Sequence, residues 1–356
     1  MKIKFVPVVV LLLLILIGCE PQQQGERILG MDIKEVPSVP YSAAYNEATS
    51  IGVREVSISL DWARLEPTVA HYDNSLPGII DSFYPQQKAD LTLILRPLDT
   101  SGPRMPADLA DLSYDDPAVI SAFDDFLVNL HANLSALNAS GKLKWIHVGN
   151  EIDAYLGSDP IRWSQWQTFF NAAKTKIETL WGDAVEVSSV IQFSSLNDET
   201  TRDLYLDFLA GLDLSVITYY PLKSDFTMNP PATVTTDFDL LVSTIPDSDI
   251  IIQECGYPSS SVNKSSELLQ ANFISSVFLA WDKYMDRIKL IDFSWQYDLS
   301  EATADQWVED YGMSDSQYAT AFKHYLWTLG LNRYDSTEKA AMKQLKDELA
   351  TRNWEQ

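Results

Sequence analysis

The sequence predicts a single (β/α)8 barrel, and three observations carry that expectation. Short apolar, β-prone runs recur eight times, near residues 28–33, 55–60, 91–96, 144–149, 185–191, 214–219, 249–254 and 289–295. Longer amphipathic stretches lie between them, such as 118–137, 163–180, 199–209 and 266–284. Several runs, Leu91-Thr92-Leu93-Ile94-Leu95 among them, are nearly continuous in apolar residues, as parallel strands covered on both faces should be. A doubly wound open sheet is the competing architecture. It would usually show a glycine-rich phosphate loop after the first strand, where Gly30 stands alone.

The chain opens on an address rather than on fold. Lys2 and Lys4 precede an apolar run over 5–17, shorter than the roughly 20 residues a spanning helix needs. The run ends Leu16-Ile17-Gly18-Cys19, which resembles a bacterial lipobox. Residues 1–18 therefore read as a lipoprotein signal peptide and Cys19 as the lipidated residue. Residues 19–26 read as a polar tether and 27–356 as the barrel. Glu20 after the cysteine is unlike the aspartate signal for inner-membrane retention, so the expected location is the cell envelope, lipid-anchored at the outer membrane. Within the barrel, residues 118–137 place Val119, Ala122, Phe123, Phe126, Leu127, Leu130 and Leu134 on one helical face. The charged stretch 336–356 reads as a terminal helix packed outside.

Composition narrows the partners. The net charge is −24, from 26 Lys and Arg against 50 Asp and Glu. Such a surface repels nucleic acid and anionic lipid and accepts a neutral substrate more readily. Contact with a membrane is expected through the N-terminal lipid alone. There are 2 cysteines, so if Cys19 carries lipid then Cys255 has no disulfide partner. The 4 histidines are scattered, and neither a metal site nor a cofactor is expected.

Active-site groups of such barrels stand at the C-terminal strand ends. The fourth strand ends Val148-Gly149-Asn150-Glu151-Ile152 and the seventh Gln253-Glu254-Cys255-Gly256-Tyr257-Pro258. A lone glutamate at a strand end is ordinarily surface decoration. Two of them on opposite sides of a cleft are what cleavage of a glycosidic bond requires, one as proton donor and one as nucleophile or base. Cys255, with no histidine nearby in sequence, reads as a small buried residue.

An Asn-Glu ending the fourth strand and a Glu ending the seventh resemble the clan A retaining (β/α)8 glycosidases. Val148–Ile152, Thr218-Tyr219-Tyr220-Pro221 and the Glu254…Tyr257-Pro258 segment are most similar to the family 53 endo-β-1,4-galactanases. The resemblance implies Glu151 as acid/base, Glu254 as nucleophile and Asn150 as a contact to the sugar 2-hydroxyl. It also implies Tyr219 or Tyr220, with Tyr219 preferred, as hydrogen-bond donor to the nucleophile. Trp295, after the eighth strand, would form the floor under the reacting sugar, with Trp62, Tyr155, Trp163 and Trp166 as candidates to extend that platform. The segment Ser57-Ile58-Ser59-Leu60-Asp61-Trp62-Ala63-Arg64 departs from the galactanase pattern and looks more like the Ser-Trp-Ser-Arg segment of family 1 β-glucosidases. Arg64 then becomes the candidate cation beside the nucleophile, with Arg96 as substitute. The implied activity is retaining hydrolysis of a β-linked polysaccharide or oligosaccharide, β-1,4-galactan in the first instance. A non-catalytic glycan-binding surface lipoprotein on the same barrel is the alternative; it could drop a carboxylate, and this chain has kept both. A structural or adhesion lipoprotein would need neither.

Overall fold

The computed structural model describes residues 23–245 and 248–355, so the leader and the lipobox cysteine Cys19 lie outside the described residues. The barrel strands are β1 (Ile28–Met31), β2 (Glu55–Asp61), β3 (Asp90–Arg96), β4 (Leu143–Val148), β5 (Glu186–Ser188), β6 (Val190–Gln192), β7 (Leu214–Tyr219), β8 (Asp249–Cys255) and β9 (Ile288–Phe293). All pair in parallel, in the order β5-β4-β3-β2-β1-β9-β8-β7-β6. The two ends of that order are consecutive in sequence, so the sheet closes on itself.

The closure differs from expectation in one respect. Residues 185–191 were expected as one strand, and the structure divides them at Ser189. The Ser189 hydroxyl donates to the Val148 carbonyl at 2.6 Å, pulling the backbone across from β4. Its neighbour Val190 then donates to the Gly149 carbonyl at 3.4 Å while β6 pairs with β7. The fifth barrel position is therefore shared by β5 and β6.

The helices are α1 (Tyr41–Ser50), α2 (Trp62–Leu65), α3 (Ser75–Phe83), α4 (Pro117–Asn133), α5 (Ser135–Ser140), α6 (Ile152–Leu156) and α7 (Pro160–Trp181). After them come α8 (Glu199–Leu209), α9 (Thr233–Thr244), α10 (Glu267–Lys283), α11 (Glu301–Asp310), α12 (Ala319–Trp327) and α13 (Ala340–Thr351). Several start on a side-chain cap that satisfies an orphan amide: Asp116 accepts from Ala118, Asp159 from Ile161, Asp198 from Thr201 and Ser266 from Leu269. The stretch read as one helix over 118–137 breaks at Leu134 into α4 and α5. The terminal helix is present as α13, packed on α10.

The described part of the tether is not free. Gln24 donates its backbone amide to the Arg352 carbonyl at 3.2 Å, and Asn353 donates to the Gln23 side chain at 2.7 Å. Arg27 and Arg352 share Asp282 beneath, each at 2.6 Å and each fully covered. The chain is thus clasped to its own C-terminal segment from residue 23 onward.

Inside the barrel the lower layer is apolar, with Val190, Leu214, Val216, Ile251 and Leu290. Above it the interior becomes polar. Glu55 and Asp292 are both buried; Thr92 donates to Glu55 at 2.5 Å and Ser57 donates to Asp292 at 2.8 Å. Gly30 makes room for this pair, since a Cβ there would lie 2.8 Å from the Asp292 Cβ. Burial pushes both carboxyls up, Glu55 to about 8 and Asp292 well above its ordinary value, because the charged form loses its water there.

Candidate active site

The end of β4 is built to turn sharply. Gly149 has φ +83°, and a Cβ there would meet Ile152 at 2.5 Å and the Trp166 ring at 2.6 Å, so only glycine fits. Glu151 itself adopts a left-handed conformation, φ 46°, at the start of α6. For a residue with a side chain that conformation costs free energy, and it persists because neighbours hold the carboxylate. Thr218 donates to Oε1 at 2.6 Å; Thr100 and Gln192 donate to Oε2 at 2.7 and 3.0 Å. The loop carrying Gln192 is in turn fixed by Asp153, which accepts the Gln192 backbone amide at 3.0 Å and the Ser195 hydroxyl. Burial raises Asp153 to about 7.

The end of β8 carries a bulge. Its register against β7 shifts between Ile252 and Glu254, which inserts Gln253 as an extra residue. Both Gln253 and Glu254 consequently face the cleft. The Gln253 side-chain oxygen Oε1 accepts from His147 Nδ1, its Nε2 donates to Asn150 Oδ1 at 3.3 Å, and Asn150 Nδ2 donates to Asp99 at 3.2 Å. Burial lowers His147 to about 4, so the imidazole is neutral and its tautomer is set by Gln253. This chain of bonds holds Asn150 at the barrel mouth, where the resemblance places its contact with sugar.

Glu254 is the other carboxylate. The Tyr220 hydroxyl donates to its Oε2 at 2.8 Å. Burial, then repulsion from Glu151, raises Glu254 to about 8, with Asp32 and Asp99 adding to the rise and Tyr220 opposing it. Tyr311 and Tyr325 also feel both carboxylates, which puts α12 and the end of α11 over the site.

Three sequence expectations are corrected here. Tyr219 does not reach Glu254: its hydroxyl donates to Asp237 at 2.7 Å, and its ring packs outside the barrel among Phe193, Phe238 and Phe273. Side chains alternate along β7, so Thr218 and Tyr220 face inward and Tyr219 outward. Arg64 is exposed on the last turn of α2, and the charge it acts on is Asp73. The substitute Arg96 is pinned by Asp61 at 2.7 Å and by Asp99 at 3.8 Å. Trp62 is fully buried, packs edge-on against Phe123 and donates its indole N–H to Glu66 at 2.7 Å, so it is core and not platform. Trp163 and Trp166 are likewise buried.

Trp295, 8% exposed, follows a cis peptide from Ser294 and lies in one apolar cluster with Tyr325, against which Tyr220 packs. Lys34 lies 4.9 Å from its ring centroid and also pairs with Asp32 at 3.2 Å. Cys255 is fully buried and its thiol is pushed well up by burial, an inert core group. Thr100, Thr218, Gln192 and Gln253 were not singled out from the sequence. For Thr218 a signal existed in the period-2 alternation from Leu214 and Val216; for Thr100 and Gln192, on separate loops, none did.

The distinction between the two tyrosines is measurable. Tyr220→Phe is expected to lower kcat/KM on a glycoside by roughly 10- to 100-fold, the worth of one hydrogen bond to a charged group. Tyr219→Phe should leave kcat/KM within about twofold and cost about 1 kcal/mol of stability in denaturant melts. Equal kinetic losses in both would contradict the placement.

No protein-family model and no curated protein sequence matches the chain. Solved structures do match by shape. A GH5_18 protein of Streptomyces cattleya, in complex with GlcNAc, is 14% identical over 94% of this chain and 82% of its own, with a TM-score of 0.66. The catalytic domain of a GH53 protein of Ignisphaera aggregans is 15% identical over 88% of this chain and 98% of its own, at 0.60. An exo-β-1,4-mannosidase of Opitutaceae bacterium strain TAV5 is 13% identical over 91% of this chain and 59% of its own, at 0.66. At these identities the likeness establishes architecture: the chain has the (β/α)8 barrel that these glycosidase structures share.

Proposed function

We propose that the protein is a retaining glycoside hydrolase acting on β-linked, uncharged sugars. One observation carries the reading. Glu151 and Glu254 stand where β4 and β8 end at the barrel mouth, and after burial the charge of the first is the leading influence on the second. Glu254 attacks the anomeric carbon as the bond to the leaving oxygen breaks, and Glu151 gives that oxygen its proton. Water then attacks the same carbon, surrendering a proton to Glu151 and freeing Glu254. Asn150 is positioned for the neighbouring hydroxyl, and Tyr220 steadies Glu254 before attack.

The mouth also favours a neutral substrate. Lys34 is engaged by Asp32 and Arg96 by Asp61 and Asp99, while Glu151 and Glu254 add negative charge. The strand-end motifs favour β-1,4-galactan. Likeness to a GH5_18 protein solved with Manβ1-4GlcNAc and to an exo-β-1,4-mannosidase supports β-mannosides as the second substrate class. The test is a screen of purified residues 25–356 against β-1,4-galactan, β-1,4-mannan, Manβ1-4GlcNAc and β-glucan, with anomeric NMR of the products. The expected result is release of sugar from a galactan or mannoside with retained configuration. An inverted product refutes the mechanism, and inactivity on every glycan returns the protein to the binding-lipoprotein reading.

A further inference from the structure

Strands β1 and β2 meet at a single register pair, Gly30↔Glu55. Above it they part. β1 continues along β9, with Asp32 donating to the Phe293 carbonyl at 3.2 Å and accepting from Gln296 at 3.0 Å. β2 stays with β3 as far as Asp61↔Arg96. The barrel wall is therefore open between them. Ser57 and Ser59, small residues facing inward on β2, widen the opening, and Ser59 is solvent-exposed in the middle of a barrel strand.

A cavity of about 440 Å³ occupies this opening and reaches from the catalytic centre to the inner face of α3. The volume falls at the small end of the range of roughly 300–1,000 Å³ for ligand pockets. Its two ends differ in chemistry. At the inner end stand Glu254, Ser57, Ser59 and Ser294, groups that suit sugar hydroxyls. At the outer end stand Leu76, Ile79, Ile80 and Phe83, and the hydroxyls of Tyr41 and Tyr84 there bond to each other. A hydroxyl-rich ring at that end would find few hydrogen-bond partners beyond the Tyr41 and Tyr84 hydroxyls.

The cavity touches Glu254 and not Glu151. In a retaining hydrolase the proton donor stands beside the leaving group, so a space beside the nucleophile alone belongs to the sugar being transferred. We propose that this side pocket receives an apolar ester-acyl substituent carried by the sugar bound at Glu254, making the protein selective for O-acylated glycones. The inference rests on the glycosidase reading and deepens it.

The test uses the 4-nitrophenyl β-galactoside and β-mannoside, each plain and as separate 3-, 4- and 6-O-butanoyl isomers, together with the corresponding β-1,4-linked disaccharide glycosides. One butanoyl isomer of the sugar that is turned over should exceed its plain parent in kcat/KM by roughly 10- to 100-fold, the gain from burying a few methylenes. Ile79, 63% exposed on α3, can be changed without disturbing the core. Ile79→Asp should bring the ratio of acylated to plain substrate to within about threefold of unity, because a charge then faces the chain. If plain glycosides are cleaved and every acylated isomer is poorer, the pocket inference is overturned while the glycosidase reading stands. A gain confined to the disaccharide glycosides overturns it too, assigning the pocket to a second sugar. If no glycoside of either kind and no glycan of the screen above is cleaved, the glycosidase reading falls and takes this one with it.

Discussion

Replacing Glu254 with alanine is expected to reduce turnover of every glycoside by roughly four orders of magnitude or more, since no covalent intermediate can then form. Glu151→Ala should fail differently. On a substrate whose leaving group needs a proton, the loss should be roughly 10²- to 10⁴-fold, the usual worth of general acid catalysis. On a 2,4-dinitrophenyl glycoside the first step should survive, and the glycosyl-enzyme should accumulate because no base activates water. Added azide, which needs no base, should then speed release and yield a β-glycosyl azide. Mass spectrometry after trapping with a 2-fluoro sugar should place the label on Glu254. The geometry gives these roles their warrant: Tyr220 is bonded to Glu254, while Glu151 sits among three hydrogen-bond donors on the other side of the cleft. A label on any other carboxylate would sink the assignment.

The second expected result concerns pH. Glu254 stands at about 8, raised first by burial and then by Glu151, and no arginine neutralises it because Arg64 is at the surface and Arg96 is held by Asp61 and Asp99. The attacking form is the ionised one. Inactivation by a 2-fluoro sugar with a dinitrophenolate leaving group, which requires no acid, should therefore rise with pH and level off above about 8. Glu151→Gln removes the repulsion while keeping the shape. The ionised form of Glu254 becomes easier to reach, so the rise should move to lower pH by about one unit or more. Tyr220→Phe should move it the other way, since the bond that stabilises the charge is gone. The ordinary glycoside needs the proton that the two carboxylates share, so its kcat/KM should decline above about pH 8 instead. An inactivation midpoint in the ordinary carboxylate range of about 4, unchanged by Glu151→Gln, would show that the two glutamates do not interact.

What the sequence determined by itself was local. Apolar runs and helical periodicity located the strands and the main helices, because those patterns record which faces are covered by neighbours. The glutamates were legible because each follows an apolar strand directly, and the end of a barrel strand is the mouth whatever the loops do. Cys255 could be assigned to the core for the same reason. Tertiary structure decided which neighbour of each motif points inward. Alternation along β7 selects Tyr220 over Tyr219, but on β8 the bulge at Gln253 breaks the alternation and turns two successive side chains to the cleft. The chain leaves β2 straight into α2, which buries Trp62 against α4 and carries Arg64 out to solvent. Thr100, Gln192 and Thr218 converge on Glu151 from three separate segments. The opening between β1 and β2 likewise depends on a register that ends after one pair. The bulge, the opening and the shell around Glu151 are set by pairings between residues far apart in the chain, and local propensity carries no record of such partners.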